Sequence, residues 1–168
     1  MKNLYLIGMM GCGKTTCGNL LSRRLERPFL DTDQTLEKET GKSVSQIFAE
    51  EGEGYFRDLE TDLCRRLAKT RGRIVACGGG LPLREENRKL LRESGRVIFL
   101  RRDPGEIFDA VDMDGRPLGQ GEKQAFLDRF AQRLPLYEAA AHIIIREFST
   151  PEVTVEAIIN ALEKEEQP

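Results

Sequence analysis

Gly8-Met9-Met10-Gly11-Cys12-Gly13-Lys14-Thr15 follows a short apolar run, precedes an amphipathic one, and fits the spacing GxxxxGK[ST] of a loop that holds a phosphate chain. Gly11 and Gly13 permit conformations and close approaches that a Cβ blocks, so the N–H groups from Gly11 through Cys12 and Gly13 to Thr16 can converge on phosphate oxygens. A helix starting near Lys14 adds the positive end of its dipole. Lys14 supplies a point charge to the β- and γ-phosphates. The Thr15 hydroxyl suits the shell of Mg2+, a hard cation that prefers oxygen, and Thr16 follows as a donor to the α-phosphate side. The competing explanation is a glycine turn that only caps a helix.

Two carboxylates come next. Asp31 and Asp33 are expected to close the second strand, where side chains two apart point to the same side, at the strand end where open α/β sheets bind ligands. One could support the metal, directly or through water, while the other takes a proton from an attacking hydroxyl or orients it. A plain N-cap role for Asp33, on a helix starting at Gln34, explains that residue equally well. Gly78-Gly79-Gly80 carries a heavy entropic cost unless something must approach the backbone closely; a ligand would do so, and a flexible turn is the alternative. Arg57, Arg116 and Arg133 stand out by context only, since a surface ion pair is the default for any single arginine. Arg116 lies in a segment from 109 to 123 that is crowded with Asp, Gly and Pro. This reads as a mobile surface loop: a lid over the phosphates, or a tolerated insertion.

Elements that could position these groups alternate along the chain. Apolar runs at 4–7, 29–30, 73–77, 97–100 and 143–145 read as buried strands. Helical spacing marks 14–25, 44–49, 59–68, 85–92, 124–134 and 153–162. That alternation means α/β with a mainly parallel sheet, and no linker or repeat divides the chain. The 168 residues fit one domain. Lys and Arg total 26 against 28 Asp and Glu, a formal charge of -2, so no face is forced to be basic enough for nucleic acid. No apolar stretch approaches the ~20 residues of a membrane span, and nothing reads as an export signal. Cys12, Cys17, Cys64 and Cys77 form no CxxC pair, which suits reduced thiols in the cytoplasm. His142, beside Ile143, reads as a strand-end residue without a catalytic role.

Taken together, these segments resemble the shikimate kinase family, small P-loop kinases related in fold to nucleoside monophosphate kinases. The resemblance spans nearly the whole chain: GMMGCGKTT is similar to the family's nucleotide loop, PFLDTDQTLEKETGKSVSQIFAEEGEGYFRDLE to its substrate-binding region, and IVACGGG to its third strand and glycine run. GRPL resembles the lid motif and RLPLY the last substrate-binding helix. The resemblance implies a three-layer P-loop fold with a five-stranded parallel sheet, helices on both faces and a short lid. It also implies ATP-dependent phosphorylation of the 3-hydroxyl of shikimate, on the way to chorismate and the aromatic amino acids, with Mg2+ as cofactor; a cytoplasmic monomer is the expected working unit.

On the same footing, Asp33 contacts the substrate hydroxyls as base or orienter, and Asp31 holds Mg2+ through its water shell alongside Thr15. Arg57 and Arg133 grip the substrate carboxylate, Gly78, Gly79 and Gly80 line the substrate, and Arg116 offsets charge on the transferred phosphoryl group. The chain departs from the family at Asp109, where an arginine commonly stacks on adenine. A kinase of another small hydroxy acid, such as homoserine or gluconate, is the alternative. So is a nucleotide-binding module without catalysis, although such a module need not keep Lys14, Asp33 and Arg116.

Overall fold

The computed structural model describes residues 1–112 and 120–167. The apolar runs form β1 (Asn3–Ile7), β2 (Phe29–Asp31), β3 (Ile74–Ala76), β4 (Gly95–Leu100) and β5 (Ile143–Ile145). They lie in the order β2-β3-β1-β4-β5, and every pairing is parallel. Strands covered on both faces need apolar side chains whichever way they point, and residues 4–7 and 97–100 meet that need, each being buried.

Among the described residues the helices are α1 (Lys14–Leu25), α2 (Thr32–Thr40), α3 (Val44–Glu51), α4 (Glu53–Ala68), α5 (Glu85–Ser94), α6 (Pro104–Asp112), α7 (Gln120–Ala140) and α8 (Pro151–Glu166). α1 packs on α8 as one layer, and α5 packs on α7 as the other. Tyr5, Leu6 and Phe99 of the sheet meet Leu21, Leu91, Tyr137 and Ile158 of these helices, and all seven are wholly buried. Burying each such apolar side chain is worth about 1.5–3 kcal/mol, so the two interfaces on the sheet dominate the stability of the fold.

Because the strands are parallel, β1, β2 and β3 all release the chain at one edge of the sheet. There the residues 8–13 follow β1, Asp31 ends β2, and Cys77 to Gly80 follow β3. Gly8 shows how tightly that edge is built: with φ at 151°, its added Cβ would lie 2.9 Å from the Leu100 carbonyl oxygen of β4.

Three expectations from the sequence are corrected. β2 ends at Asp31, so Asp33 sits in the first turn of α2 instead of on the strand, and the N-cap is Asp31, whose Oδ1 accepts from Gln34 N–H at 3.0 Å. The segment 109–123 is helical at both ends, because α6 reaches Asp112 and α7 begins at Gln120. Tertiary contacts hold these ends: the Phe108 and Phe126 rings stand 5.7 Å apart, and Lys123 Nζ donates to Asp109 at 2.8 Å. Finally, α7 continues through Pro135 to Ala140; proline sacrifices one helix bond there, while the buried Tyr137 and Ala140 keep the last turns on the core.

Candidate active site

Gly13 caps α1 from the left-handed region, φ 101°, with no side chain covering the helix end. The first bond into the helix runs from Cys17 N–H to Gly13 O at 2.9 Å. The N–H groups of Gly13, Lys14, Thr15 and Thr16 therefore remain without a protein partner among the described residues, an array of donors at a positive dipole end. Cys12 contributes less than the sequence suggests: its side chain is buried and its N–H donates to Met9 O at 3.2 Å. Lys14 is half-buried and folds over the loop, Nζ donating to Gly8 O at 2.6 Å and Met9 O at 2.9 Å.

Beside this cradle the Thr15 hydroxyl donates to Asp31 Oδ2 at 2.8 Å. A hydroxyl and a carboxylate oxygen, both hard donors, thus meet where the β- and γ-phosphates of a nucleotide would end, and this pair fits Mg2+ bound largely through water. Asp33 stands opposite. Burial raises its pKa first and the nearby Asp31 adds to that, while Lys14 and Arg57 oppose. A Cβ on Gly78 would come within 2.5 Å of Asp33 Oδ1, so glycine there is what lets the carboxylate approach the backbone.

Two cavities meet at Asp33. The first, about 410 Å³, is lined by Gly11, Gly13 to Thr16, Asp31 and Asp33. The second, about 350 Å³, is lined by Asp33, Phe48, Phe56, Arg57, Glu60, Gly78, Gly79, Gly80, Arg129 and Arg133. Met10, Asp33, Gly78 and Gly79 belong to both. A third cavity, about 600 Å³, lies near Lys2, Arg27 and Arg96 at the opposite edge of the sheet and holds none of these groups.

Arg57 is fixed from several sides, because Glu60 Oε1 accepts from its Nη1 at 2.6 Å and its guanidinium carbon lies 5.8 Å and 5.6 Å from the Phe48 and Phe56 ring centres. Arg133 reaches the same cavity from α7. The structure thus brings Lys14, Thr15, Asp31, Asp33, Arg57, Gly78, Gly79, Gly80 and Arg133 around two joined cavities. Arg116 lies outside the described residues, as does the whole GRPL segment.

Glu60, Arg129, Thr32 and Tyr137 escaped the sequence reading. Glu60 lies three residues after Arg57, and Arg129 and Tyr137 lie four to either side of Arg133, so helical spacing sets them beside the chosen arginines without showing which of them reach the site. Burial pushes the Glu60 carboxyl up to about 7 against the pull of Arg57, and Asp33 adds to the rise. Oε2 of Glu60 is buried without a partner among the described residues. An anion seated on Arg57 competes for that guanidinium and sets a second negative charge beside Glu60, so the bound state holds the Glu60 proton more firmly than the free state. Binding of such an acid therefore weakens as pH rises through about 7, and Glu60→Gln flattens the trend. A KM for the acid that stays constant in the wild type between about pH 6 and 8 would contradict this.

The cysteines offer no nucleophile, since all four thiols are buried and burial pushes Cys17 up to about 11 and Cys64 up to about 12.

The sequence profile of the family described as shikimate kinase matches residues 10–163. A shikimate kinase of Thermodesulfovibrio yellowstonii is 39% identical over 167 residues, covering 98% of this chain and 96% of its own. One from Ralstonia nicotianae is 43% identical over 163 residues, covering 95% of this chain and 84% of its own. Among solved structures, the shikimate kinase from Acinetobacter baumannii in complex with shikimate superposes with a TM-score of 0.90 at 32% identity, covering 100% of this chain and 96% of that one.

Proposed function

Since the chain belongs to the shikimate kinase family, we propose that it transfers the γ-phosphoryl group of ATP to the 3-hydroxyl of shikimate, giving shikimate 3-phosphate and ADP on the route to chorismate. The observation that carries this reading is Asp33 at the junction of two cavities, with phosphate donors in one and three arginines, Arg57 and Arg133 among them, in the other. A hydroxy acid whose carboxylate sits on Arg57 and Arg133 presents its ring hydroxyls to Asp33, and Asp33 faces the end of a phosphate chain lying on residues 11–16.

Asp33 Oδ1 or Oδ2 then accepts the hydroxyl proton, or orients that hydroxyl, as the oxygen attacks the γ-phosphorus and ADP leaves. Its raised pKa brings it nearer the operating pH and improves it as a base. Lys14 leaves the Gly8 and Met9 carbonyls for the phosphates, where its charge counts most as negative charge develops. Thr15 and Asp31 would hold Mg2+, which when bound offsets charge on the β- and γ-phosphates. Arg116 is assigned to the transferred phosphoryl group, and Gly78 to Gly80 line the acid with backbone.

The working unit is taken to be a monomer. Four buried free thiols fit the reducing cytoplasm. At Asp109 the carboxylate is engaged by Lys123, so this position offers adenine no stacking cation.

The test of the acid site is Arg57→Ala and Arg133→Ala. Each is expected to raise the KM for shikimate about 30-fold or more, corresponding to about 2 kcal/mol, the low end for breaking a desolvated charged hydrogen bond. The KM for ATP should stay within about twofold, because neither arginine lines the phosphate cavity. Equal use of shikimate and its decarboxylated analogue by wild type and both variants would refute the assignment.

A further inference from the structure

The glycine run after β3 allows a complete account of its backbone hydrogen bonds. Gly78 N–H donates to the hydroxyl of Thr32 at 2.8 Å, and Gly78 O accepts from Leu81 N–H at 3.0 Å. Gly79 O accepts from the hydroxyl of Tyr137 at 2.6 Å, and Gly80 O accepts from Leu83 N–H at 3.1 Å. All three carbonyls are thus used. Only the N–H groups of Gly79 and Gly80 lack a partner among the described residues, and both glycines line the cavity of Arg57 and Arg133.

The two hydroxyls that shape this arrangement lie outside that cavity, behind the glycines. Thr32 and Tyr137 are wholly buried. Tyr137 stands one helical turn beyond Arg133, and its ring packs against Phe99 of β4 at 5.1 Å. Its hydroxyl also lies 3.5 Å from Met9 Sδ in the nucleotide loop. In a trans peptide the carbonyl and the N–H of one unit point in opposite directions, and no peptide here is cis. Holding Gly79 O towards Tyr137 therefore turns Gly80 N–H away from it, into the cavity. A single hydroxyl so couples the aim of a backbone donor to the helix that carries Arg133.

We propose that Tyr137 is a positioning residue: by donating to Gly79 O, with Thr32 fixing Gly78, it holds the Gly79–Gly80 peptide so that only N–H groups face the bound acid, in register with Arg133. The proposal rests on the reading of the second cavity as the acid site and names what sets its backbone geometry. Without the hydroxyl, the peptide can rotate and present a carbonyl oxygen to a carboxylate, which repels it. Glycine at both positions leaves such a rotation unhindered by side chains.

Tyr137→Phe keeps the ring on Phe99 and removes the hydroxyl, with its contacts to Gly79 O, Met9 and Arg133. It is expected to raise the KM for shikimate about tenfold, with kcat within about threefold and the KM for ATP within about twofold, and with the same thermal unfolding profile to a few degrees. A second readout does not depend on which acid binds: in the substrate-free protein the amide resonances of Gly79 and Gly80 should shift in Tyr137→Phe and stay in place in Tyr55→Phe, which alters an exposed tyrosine on α4. Thr32→Val and Thr32→Ser supply an independent pair, the hydroxyl of Ser restoring what Val removes. Unshifted glycine amides in Tyr137→Phe would overturn the proposal. So would a shikimate KM within twofold of wild type, or equal rises in both KM values. If the wild type did not phosphorylate shikimate at all, the substrate assignment would fall, while the amide shifts would still decide the role of Tyr137.

Discussion

Lys14→Met lowers turnover at least about 100-fold while the protein remains folded. The Lys14 ammonium rests on the Gly8 and Met9 carbonyls at 2.6 and 2.9 Å, and the side chain is half-buried. Methionine occupies similar space, and losing two hydrogen bonds at the rim of the loop costs on the order of 1 kcal/mol each, too little to unfold the domain. What disappears is a positive charge placed where negative charge grows during transfer. Loss at that step appears in kcat, measured with both substrates saturating and alongside a melting curve. Retention of more than half the activity with normal folding would remove the loop from the reaction.

Asp33→Asn is the second large effect. The amide keeps the size and most of the hydrogen bonding of the carboxylate, including its clearance over Gly78, but cannot take a proton as a base. General base catalysis contributes about 100- to 10,000-fold, and turnover should fall within that range. Nucleotide affinity should change little, because Thr15 and Asp31 are bonded to each other and Asp33 takes no part in that pair. Comparing kcat with the dissociation constant of ADP separates the roles: an equal loss in both would move Asp33 into the metal site.

The sheet and the phosphate loop were legible because each rests on local pattern. The apolar runs at 4–7 and 97–100 are short, unbroken and bounded by turn residues, as strands buried on both faces are, and the glycine spacing from Gly8 to Thr15 has few other uses. Asp31 does close β2, but Asp33 was placed there for a wrong geometric reason. Strand alternation does not reach Asp33, and the first turn of α2, capped by Asp31 itself, brings the second carboxylate to the cavity. α6 was invisible because Pro104, Gly105 and the acidic residues around Ile107 and Phe108 resemble a loop; the helix depends on the Asp103 side chain accepting from Glu106 N–H and on Phe108 meeting Phe126. Glu60 and Tyr137 were hidden for another reason. A buried glutamate reads as a surface residue and a buried tyrosine as core until the helix faces are known, and only folding sets one against Arg57 and the other against Gly79.

The central claim concerns which hydroxy acid receives the phosphoryl group, and one assay addresses it directly: ADP release followed with ATP and Mg2+ in the presence of shikimate, homoserine or gluconate, side by side. The arrangement of Asp33 between the phosphate cradle and the Arg57–Arg133 pocket predicts that shikimate gives a kcat/KM at least about 100-fold above either competitor, a difference of about 3 kcal/mol in transition-state binding. ADP release no faster with shikimate than with homoserine or gluconate would contradict it.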